Sequence, residues 1–469
     1  MLHSGLRTLL IVPLMFLHAA AHSDTLLDIY EMALKNDPVL KAAQASYRAG
    51  QEAEVQGRSA LLPQVGAQAV YGETDLEQQT SRIFSLGGTN IPSNTDQDVN
   101  GEREDYYLTL SQNIFNVPAW FSFQQGKELS LQAETQFAAD QQDLVLRTVE
   151  AYTNVLRAID NLKASQAEEA AFQRQLEQTQ QRFEVGLIAI TDVHEARAAY
   201  DLAVVNRLSD EGALGVSYEL LSVLTGQPHH NLWLLDENFP VVDPQPVTPE
   251  EWVDLAVNGN FELKTAEYAA EAALQASQSL RAAHLPKITG NLNWQNTHDD
   301  GRDHDNLLNQ RLNNSADVEG TSFTINFDMP LYAGGYISSQ RRESYERYNV
   351  ARDTYTSVMR NTVQATRSLH IAVVTDVQRV LARKQSIVSA QSALDATTAG
   401  YEVGTRNVVD VLNAQQVLYR AIRDYANTRF DYVLRLIRLR KQGGMLGPED
   451  IQALNRWLVE PAAASKGSP

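Results

Sequence analysis

Arg182-Phe183-Glu184-Val185-Gly186-Leu187-Ile188-Ala189-Ile190-Thr191-Asp192-Val193 is answered later in the chain by Gly400-Tyr401-Glu402-Val403-Gly404-Thr405-Arg406, with Asp410-Val411 beyond it. An aromatic, Glu, Val and Gly recur in one frame, and the Asp-Val pair follows at the same spacing. Working outward, Ala33 through Leu62-Pro63-Gln64-Val65 recurs as Ala256 through Leu285-Pro286-Lys287-Ile288. The chain is therefore an internally duplicated unit. A repeat read first keeps the fold from being mistaken for two unrelated domains.

Each turn motif closes a very long helical stretch. Trp120 to Phe183 holds no Pro and one Gly, Gly126. As a helix it would reach roughly 100 Å at 1.5 Å per residue. Val145, Val149, Tyr152, Leu156 and Ile159 are spaced four, three, four, three, which is a coiled-coil seam. In the last helix, Val411, Leu418, Ile422, Tyr425, Tyr432 and Leu439 fall on one stripe. The helices are rich in Ala, Gln and Ser, so a sheath of packed helices around water suits them better than one thick core. The Pro-rich connector Gly226 to Pro249 and the terminal helix from Pro448 are expected to wrap the outside as a belt.

Four segments alternate with a period of two. Phe323, Ile325, Phe327, Met329 and Leu331 interleave with Thr324, Asn326 and Asp328. Ile288, Leu292 and Trp294 do the same, as do Tyr106, Leu108, Leu110 and Ile114, and more weakly Val65, Ala67, Ala69 and Tyr71. Segments of about ten residues, apolar on one face, suit transmembrane β-strands. Tyr106, Tyr107, Phe115, Trp120, Trp294 and Tyr332 cluster near the strand ends, as an interfacial girdle would. Two long polar loops, Gly72 to Asp105 and Asn296 to Gly320, are expected between the paired strands. Four strands cannot close a barrel, and lipid does not tolerate an open sheet edge. Several chains must then share one barrel; three copies of four strands give twelve.

Composition narrows the rest. Arg7, the apolar run Leu9 to Leu17 and Ala19-Ala20-Ala21 read as an export signal, cleaved after Ala21 or after Ser23. No other stretch is long and apolar enough for a membrane helix. With no cysteine among 469 residues, disulfides and thiolate metal sites are excluded. A net charge of −19 argues against nucleic acid. No nucleophile–base motif, phosphate loop or zinc spacing is present, so the reading is non-enzymatic with no cofactor. His298-Asp299-Asp300 with Asp303-His304-Asp305, and His229-His230, are read as surface groups rather than metal ligands. Arg435, Arg438, Arg440 and Lys441 are read as cations at a helix C-terminus, where they suit its dipole.

Through these residues the chain resembles the TolC family of outer-membrane efflux and secretion ducts over nearly its whole length. The two turn motifs look like that family's periplasmic turns, and Met329-Pro330-Leu331-Tyr332-Ala333-Gly334-Gly335 resembles its passage from strand to helix. The resemblance implies an α+β membrane protein of the cell outer membrane, extending into the periplasm. It implies a homotrimer with a 12-stranded β-barrel, four strands per chain, continuous with a 12-helix periplasmic α-barrel. The expected divisions are a signal over 1–21, a first repeat over 22–235, a second over 236–442, and a C-terminal equatorial helix and tail over 443–469. The first repeat would hold strands near 64–72 and 105–115 and long helices over 117–184 and 191–225. The second would hold strands near 287–297 and 320–332 and long helices over 335–402 and 408–441.

The function implied is a passive exit duct for tripartite efflux or type I secretion, gated at its periplasmic tip. Its partners would be a periplasmic adaptor (membrane fusion) protein, an inner-membrane transporter of RND, ABC or MFS type, and outer-membrane lipid, but no nucleic acid. Resemblance carries Thr191, Asp192, Tyr401 and Arg406 onto the closing network, with Arg406 on Asp192 and Tyr401 near Thr191 and Asp192. It makes Val185-Gly186-Leu187 and Val403-Gly404-Thr405 the adaptor-docking tips and Asp410 an acidic pore ring. One departure stands out: Asn413 occupies a position where a second acidic residue is expected, and Glu195 is its counterpart in the first repeat. A periplasmic coiled-coil adaptor and a secreted structural coiled coil remain as alternatives.

Overall fold

The computed structural model describes residues 24–305 and 310–461. The signal expected over 1–21 and residues 462–469 of the tail lie outside the described residues. Helices α1 (Leu26–Asn36) and α2 (Pro38–Ser59) lead into strands β1 (Gln64–Leu86) and β2 (Thr89–Phe115), followed by α3 (Val117–Glu184) and α4 (Ile190–Thr225). A short strand β3 (Leu234–Leu235) precedes α5 (Pro249–Gly259) and α6 (Phe261–Arg281). Then come β4 (Lys287–Asp305), β5 (Gln310–Asp328), α7 (Tyr336–Glu402), α8 (Val408–Gln442), α9 (Pro448–Asn455) and β6 (Leu458–Val459). The chain forms two compact units, each drawn from both repeats. One comprises the residues up to Ala43, Ala138–Asn260 and those from Asn361 on; the other comprises Gln44–Phe137 and Phe261–Arg360.

The second unit carries the sheet, in the order β1-β2-β4-β5, antiparallel throughout. The alternation read from the sequence lines up across it. Val65 faces Leu110, Leu110 faces Leu292, and Leu292 faces Phe323, an apolar row across all four strands. The row beyond it is Ala67, Leu108, Trp294 and Thr321. The opposite face is polar, with Gln64, Ser111, Asn291 and Thr324 in one row. Higher on that face Asp105 is buried, accepting from Thr297 Oγ1 at 2.8 Å and from Arg103 Nε at 2.9 Å. On the apolar face Val65, Phe323, Ile325 and Phe327 stay exposed within one chain. Strands β1 and β5 are sheet edges, each paired on one side only.

The polar loops expected over Gly72 to Asp105 and Asn296 to Gly320 are instead mostly continued strand. Gly72 pairs with Arg103 and the ladder runs on to Leu86 opposite Thr89; Asn296 pairs with Glu319 and the ladder runs on to Asp305 opposite Gln310. The strands therefore extend well past the apolar band, and β1 and β2 number 23 and 27 residues. A ladder with solvent on both faces needs no alternation, so a period-two pattern is silent there. The turn is Gly87-Gly88 at φ +59° and +86°. That is the two-residue hairpin connection requiring positive φ at both positions. The extension also splits the His298-Asp299-Asp300 group, since neighbours on a strand point to opposite faces. His298 Nδ1 meets Asp317 Oδ1 at 2.5 Å. The side chains of Asp303, His304 and Asp305 lie outside those described.

The first unit is built on several hydrophobic clusters that share residues at their margins. In the largest, Leu26, Ile29 and Ala33 of α1 pack on Leu144, Val149 and Tyr152 of α3, with Leu221 of α4, Ile437 of α8 and Ile451 of α9. Of the seam residues, Val145, Val149, Tyr152 and Leu156 are buried there and Ile159 is half-buried against them. Burial pushes the Tyr152 hydroxyl's pKa up, and that hydroxyl donates to Trp233 O at 2.7 Å. Thr25 and Asp28 cap α1 reciprocally. Buried Asp37 accepts from Leu40 N at 2.9 Å and Arg147 Nη2 at 2.7 Å. Burial alone would raise its pKa; the Arg147 and backbone donors together bring the carboxyl below its ordinary range.

A second cluster holds the connector. Trp252 packs on Val373, Val377 and Val380 of α7 and on Tyr432, Val433 and Leu439 of α8. The connector's β3 pairs with β6 from the C-terminal segment. The basic end of α8 is spent on ion pairs rather than on the helix dipole alone. Arg435 pairs with Asp376 at 2.7 Å, Arg438 with Glu150 at 2.7 Å, Arg440 with Asp450 at 2.6 Å and Lys441 with Asp143 at 3.0 Å. The partners Asp376, Glu150 and Asp143 are distant in sequence and Asp450 lies beyond the helix end, which is why the local pattern suggests only the dipole.

Candidate functional site

The two repeat turns share one backbone solution. In the first, Gly186 sits at φ +77°, Gly186 N donates to Phe183 O at 2.9 Å and Leu187 N to Arg182 O at 2.9 Å. In the second, Gly404 sits at φ +80°, Gly404 N donates to Tyr401 O at 3.1 Å and Thr405 N to Gly400 O at 2.8 Å. Both are the helix end in which a left-handed Gly lets the chain bond back across five residues, satisfying carbonyls the helix leaves open. An L side chain at either Gly would be strained. The consequence is exposure: Val185 is 70%, Leu187 72% and Val403 75% exposed, with Thr405 also exposed. Small apolar knobs on rigid, pre-formed turns are suited to meeting another surface.

Behind the knobs, one cluster gathers the helices that flank both turns. Phe172 and Leu176 of α3, Ala196 and Ala203 of α4, and Tyr401, Val408, Val411 and Leu412 pack together. The repeats then diverge at the next helix start. Asn407 caps α8 reciprocally: its Oδ1 accepts from Asp410 N at 2.8 Å, and Asp410 Oδ2 accepts from Asn407 N at 3.4 Å. Ala189 heads α4 with no side-chain cap, and Asp192 follows in the first turn, half-buried, with Thr191 exposed.

Of the network residues carried by resemblance, Thr191 and Asp192 lie in the first turn of α4, Tyr401 lies at the C-terminal end of α7 and Arg406 lies between α7 and α8. Arg406 Nη1 lies 3.9 Å from Asp410 Oδ2, and both side chains are substantially exposed. The Asp410 carboxylate thus serves a cap and a neighbouring cation at once. Tyr401 is buried, and its hydroxyl has no hydrogen-bond partner among the described residues. A buried phenol left unpaired costs about 1–3 kcal/mol. Its ring is covered by Arg182, whose Cζ lies 4.7 Å from the ring centroid. Arg182 was not among the residues singled out from the sequence as a gate candidate. The available signal was that the repeat alignment setting Phe183 on Tyr401 sets Arg182 on Gly400. Asn413 and Glu195 are both exposed. Farther from the turns, buried Glu168 pairs with Arg423; burial pushes its carboxyl up and Arg423 opposes that.

Among the described residues, no group of His and carboxylates could hold a metal ion, and no helix is long and apolar enough to cross a membrane. The model of the outer membrane efflux protein family matches residues 29–227 and 252–444. The chain is 34% identical over 446 residues to outer membrane protein TolC of Vibrio cholerae serotype O1, covering 94% of this chain and 95% of that one. It is 28% identical over 445 residues to the alkaline protease secretion protein AprF of Pseudomonas aeruginosa, covering 94% and 88%. The solved structure of the outer membrane protein VceC from Vibrio cholerae superposes with a TM-score of 0.71 at 18% identity, covering 90% of this chain and 97% of that one.

Proposed function

The chain belongs to the outer membrane efflux protein family and is an outer-membrane protein, and from that premise we propose that three copies form a passive exit duct closed at its periplasmic tip. The observation that carries this is the sheet: four strands, an exposed apolar row across all of them, and two unpaired edges. Edges can persist in lipid only if another copy pairs with them, and three copies give a closed barrel of twelve strands. The polar face bearing Gln64, Ser111, Asn291 and Thr324 then lines water, and the apolar face meets lipid. The four long helices of each chain supply a twelve-helix sheath in the periplasm. TolC and AprF, which the chain resembles in sequence, point to efflux and to type I protein secretion as its work. A duct of this kind has no energy source of its own. An inner-membrane transporter and a periplasmic adaptor would drive and open it, docking on Val185-Gly186-Leu187 and Val403-Gly404-Thr405.

The gate reading assigns Arg406 a partner on a neighbouring copy. Among the described residues of one chain Arg406 makes a long contact to Asp410, and Tyr401 stays packed within its own chain. Asp192 and Thr191 of the next copy would complete the pairing of Arg406. The duct reading is tested by fractionation and electrophoresis. Purified protein should come from outer membrane as a heat-modifiable trimer that conducts in planar bilayers. A periplasmic monomer with no pore would favour an adaptor or structural coiled coil instead.

Asp410 is the acidic ring of the proposed pore, and Asn413 leaves it single. Rings of carboxylates favour cations and hold multivalent ones. Asn413→Asp should therefore raise the cation-to-anion permeability ratio and tighten block by a trivalent cation, by about tenfold in the blocking constant. Reversal potentials and block titrations check this; unchanged values would remove Asn413 from the pore.

A further inference from the structure

We propose that Arg182 is a positioning residue of the tip gate, acting through Tyr401, an inference that rests on the gate reading above. Four observations converge. Arg182 lies in the last turn of α3, and its carbonyl accepts the Leu187 N–H that closes the first turn, so its backbone is fixed. Its guanidinium reaches out of the first repeat and covers the Tyr401 ring of the second, Cζ to centroid 4.7 Å. Tyr401 is 6% exposed, whereas its repeat counterpart Phe183 is 39% exposed. The Tyr401 hydroxyl is buried without a partner among the described residues.

The divergence of the repeats explains the arrangement. Equivalent positions carry Arg182 and Gly400, and then Phe183 and Tyr401. The first repeat contributes the cation and leaves its own aromatic uncovered. The second contributes the aromatic and has no side chain where the cation would be. One directed contact therefore ties the two turns within each chain. A planar guanidinium over an aromatic face is attracted by the ring quadrupole, more strongly where water is partly excluded. It also blocks the ring from tilting, which holds the hydroxyl in one direction. With the ring held, the two turns of one chain stay packed together behind the closed tip; with the ring free, they part more readily and the closed tip weakens. The contact differs from the Arg406 link in kind, since it joins two turns of one chain and needs no carboxylate.

The test is planar-bilayer conductance of purified trimers. Arg182→Met keeps the apolar stem and removes the charge. It should lower the closed-to-open ratio roughly fivefold per chain, read as a higher mean conductance. Arg182→Lys retains a cation over the ring and should restore most of the closure. In a Tyr401→Leu background, Arg182→Met should add nothing further, because the contact is already gone. Arg406→Ser is the reference that separates the two readings. If Arg406→Ser opens the duct and Arg182→Met does not, Arg182 is no gate residue and the gate reading stands. If neither opens it, the gate reading fails and this inference with it. If Arg182→Lys opens the duct as fully as Arg182→Met, shape and not cation stacking is what matters, and the inference is overturned. Arg182→Ala, checked first for heat-modifiable trimer, serves as the second truncation.

Discussion

Trimers carrying Asp192→Ala together with Arg406→Ser are expected to conduct several times more current than wild type in planar bilayers, at voltages where the wild type is nearly closed. The reasoning starts from a weak interaction. An exposed Arg–carboxylate pair contributes roughly 0–1 kcal/mol, because water and salt screen it. In the proposed assembly three symmetry copies act together in a narrow, partly shielded tip, so their sum reaches up to about 3 kcal/mol. That corresponds to a shift of up to about 150-fold between closed and open states. The effect should shrink with added salt, since the screening length falls from about 10 Å at 0.1 M to about 3 Å at 1 M. Conductance normalised to bulk solution across that range is therefore part of the measurement. The two single variants should also differ from each other. Arg406 lies 3.9 Å from Asp410, so losing it both frees the tip and leaves the acidic ring uncompensated. Arg406→Ser should open into a more cation-selective pore than Asp192→Ala. A normalised conductance unchanged in the double variant at low salt would discard the salt-bridged gate and leave the duct.

How far the sequence could be read follows from where its signals are local. The turn glycines Gly186 and Gly404 announce helix ends because positive φ has a strong residue preference. The seam at Val145, Val149, Tyr152, Leu156 and Ile159 is legible because a buried stripe must repeat with the helix; the first four are buried and Ile159 is half-buried. The apolar rows of the sheet are legible for the same reason, with a period of two. The upper halves of the hairpins are not, because solvent on both faces imposes no pattern. Among the described residues, Gly87-Gly88 marks the turn of the first hairpin. Arg435 pairs with Asp376, and Arg438 with Glu150, across spans no local pattern can report. The Arg182–Tyr401 contact joins the two repeats, and the duplication itself hides it. An alignment of the halves invites one role per motif, whereas the side chains divide a role between them.

Trp252→Ala is expected to be the most destabilising single change in the first unit. Trp252 is 1% exposed and is the largest of its fully buried side chains. Its Nε1 donates to Pro246 O at 2.7 Å, fixing the Pro-rich connector to α5. Its ring fills the space between the connector, α7 and α8, against Val373, Val377 and Val380. Truncation to Ala leaves a large cavity and costs about 3–5 kcal/mol, and the stranded Pro246 carbonyl adds about 1 kcal/mol. Neighbouring contacts cannot simply slide in to fill it. Tyr432 is held through its hydroxyl, which donates to Val242 O at 2.8 Å and accepts from Val242 N at 3.2 Å, and Phe239 stacks edge-on against both Tyr432 and Trp457. The apparent unfolding temperature should fall by roughly ten degrees. Cleavage by added protease within 226–249 should speed up well before the helices are lost, since the connector is released first. Trp252→Phe keeps much of the ring volume and gives up only the Nε1 bond, so its loss should be about 1–2 kcal/mol. Neither change touches the cluster that gathers the helices flanking the two turns, so residual trimers of both variants should keep the wild-type closed conductance. If Trp252→Ala opened the tip instead, the connector would be part of the gate, and the hydrophobic clusters of this unit would be mechanically coupled rather than independent.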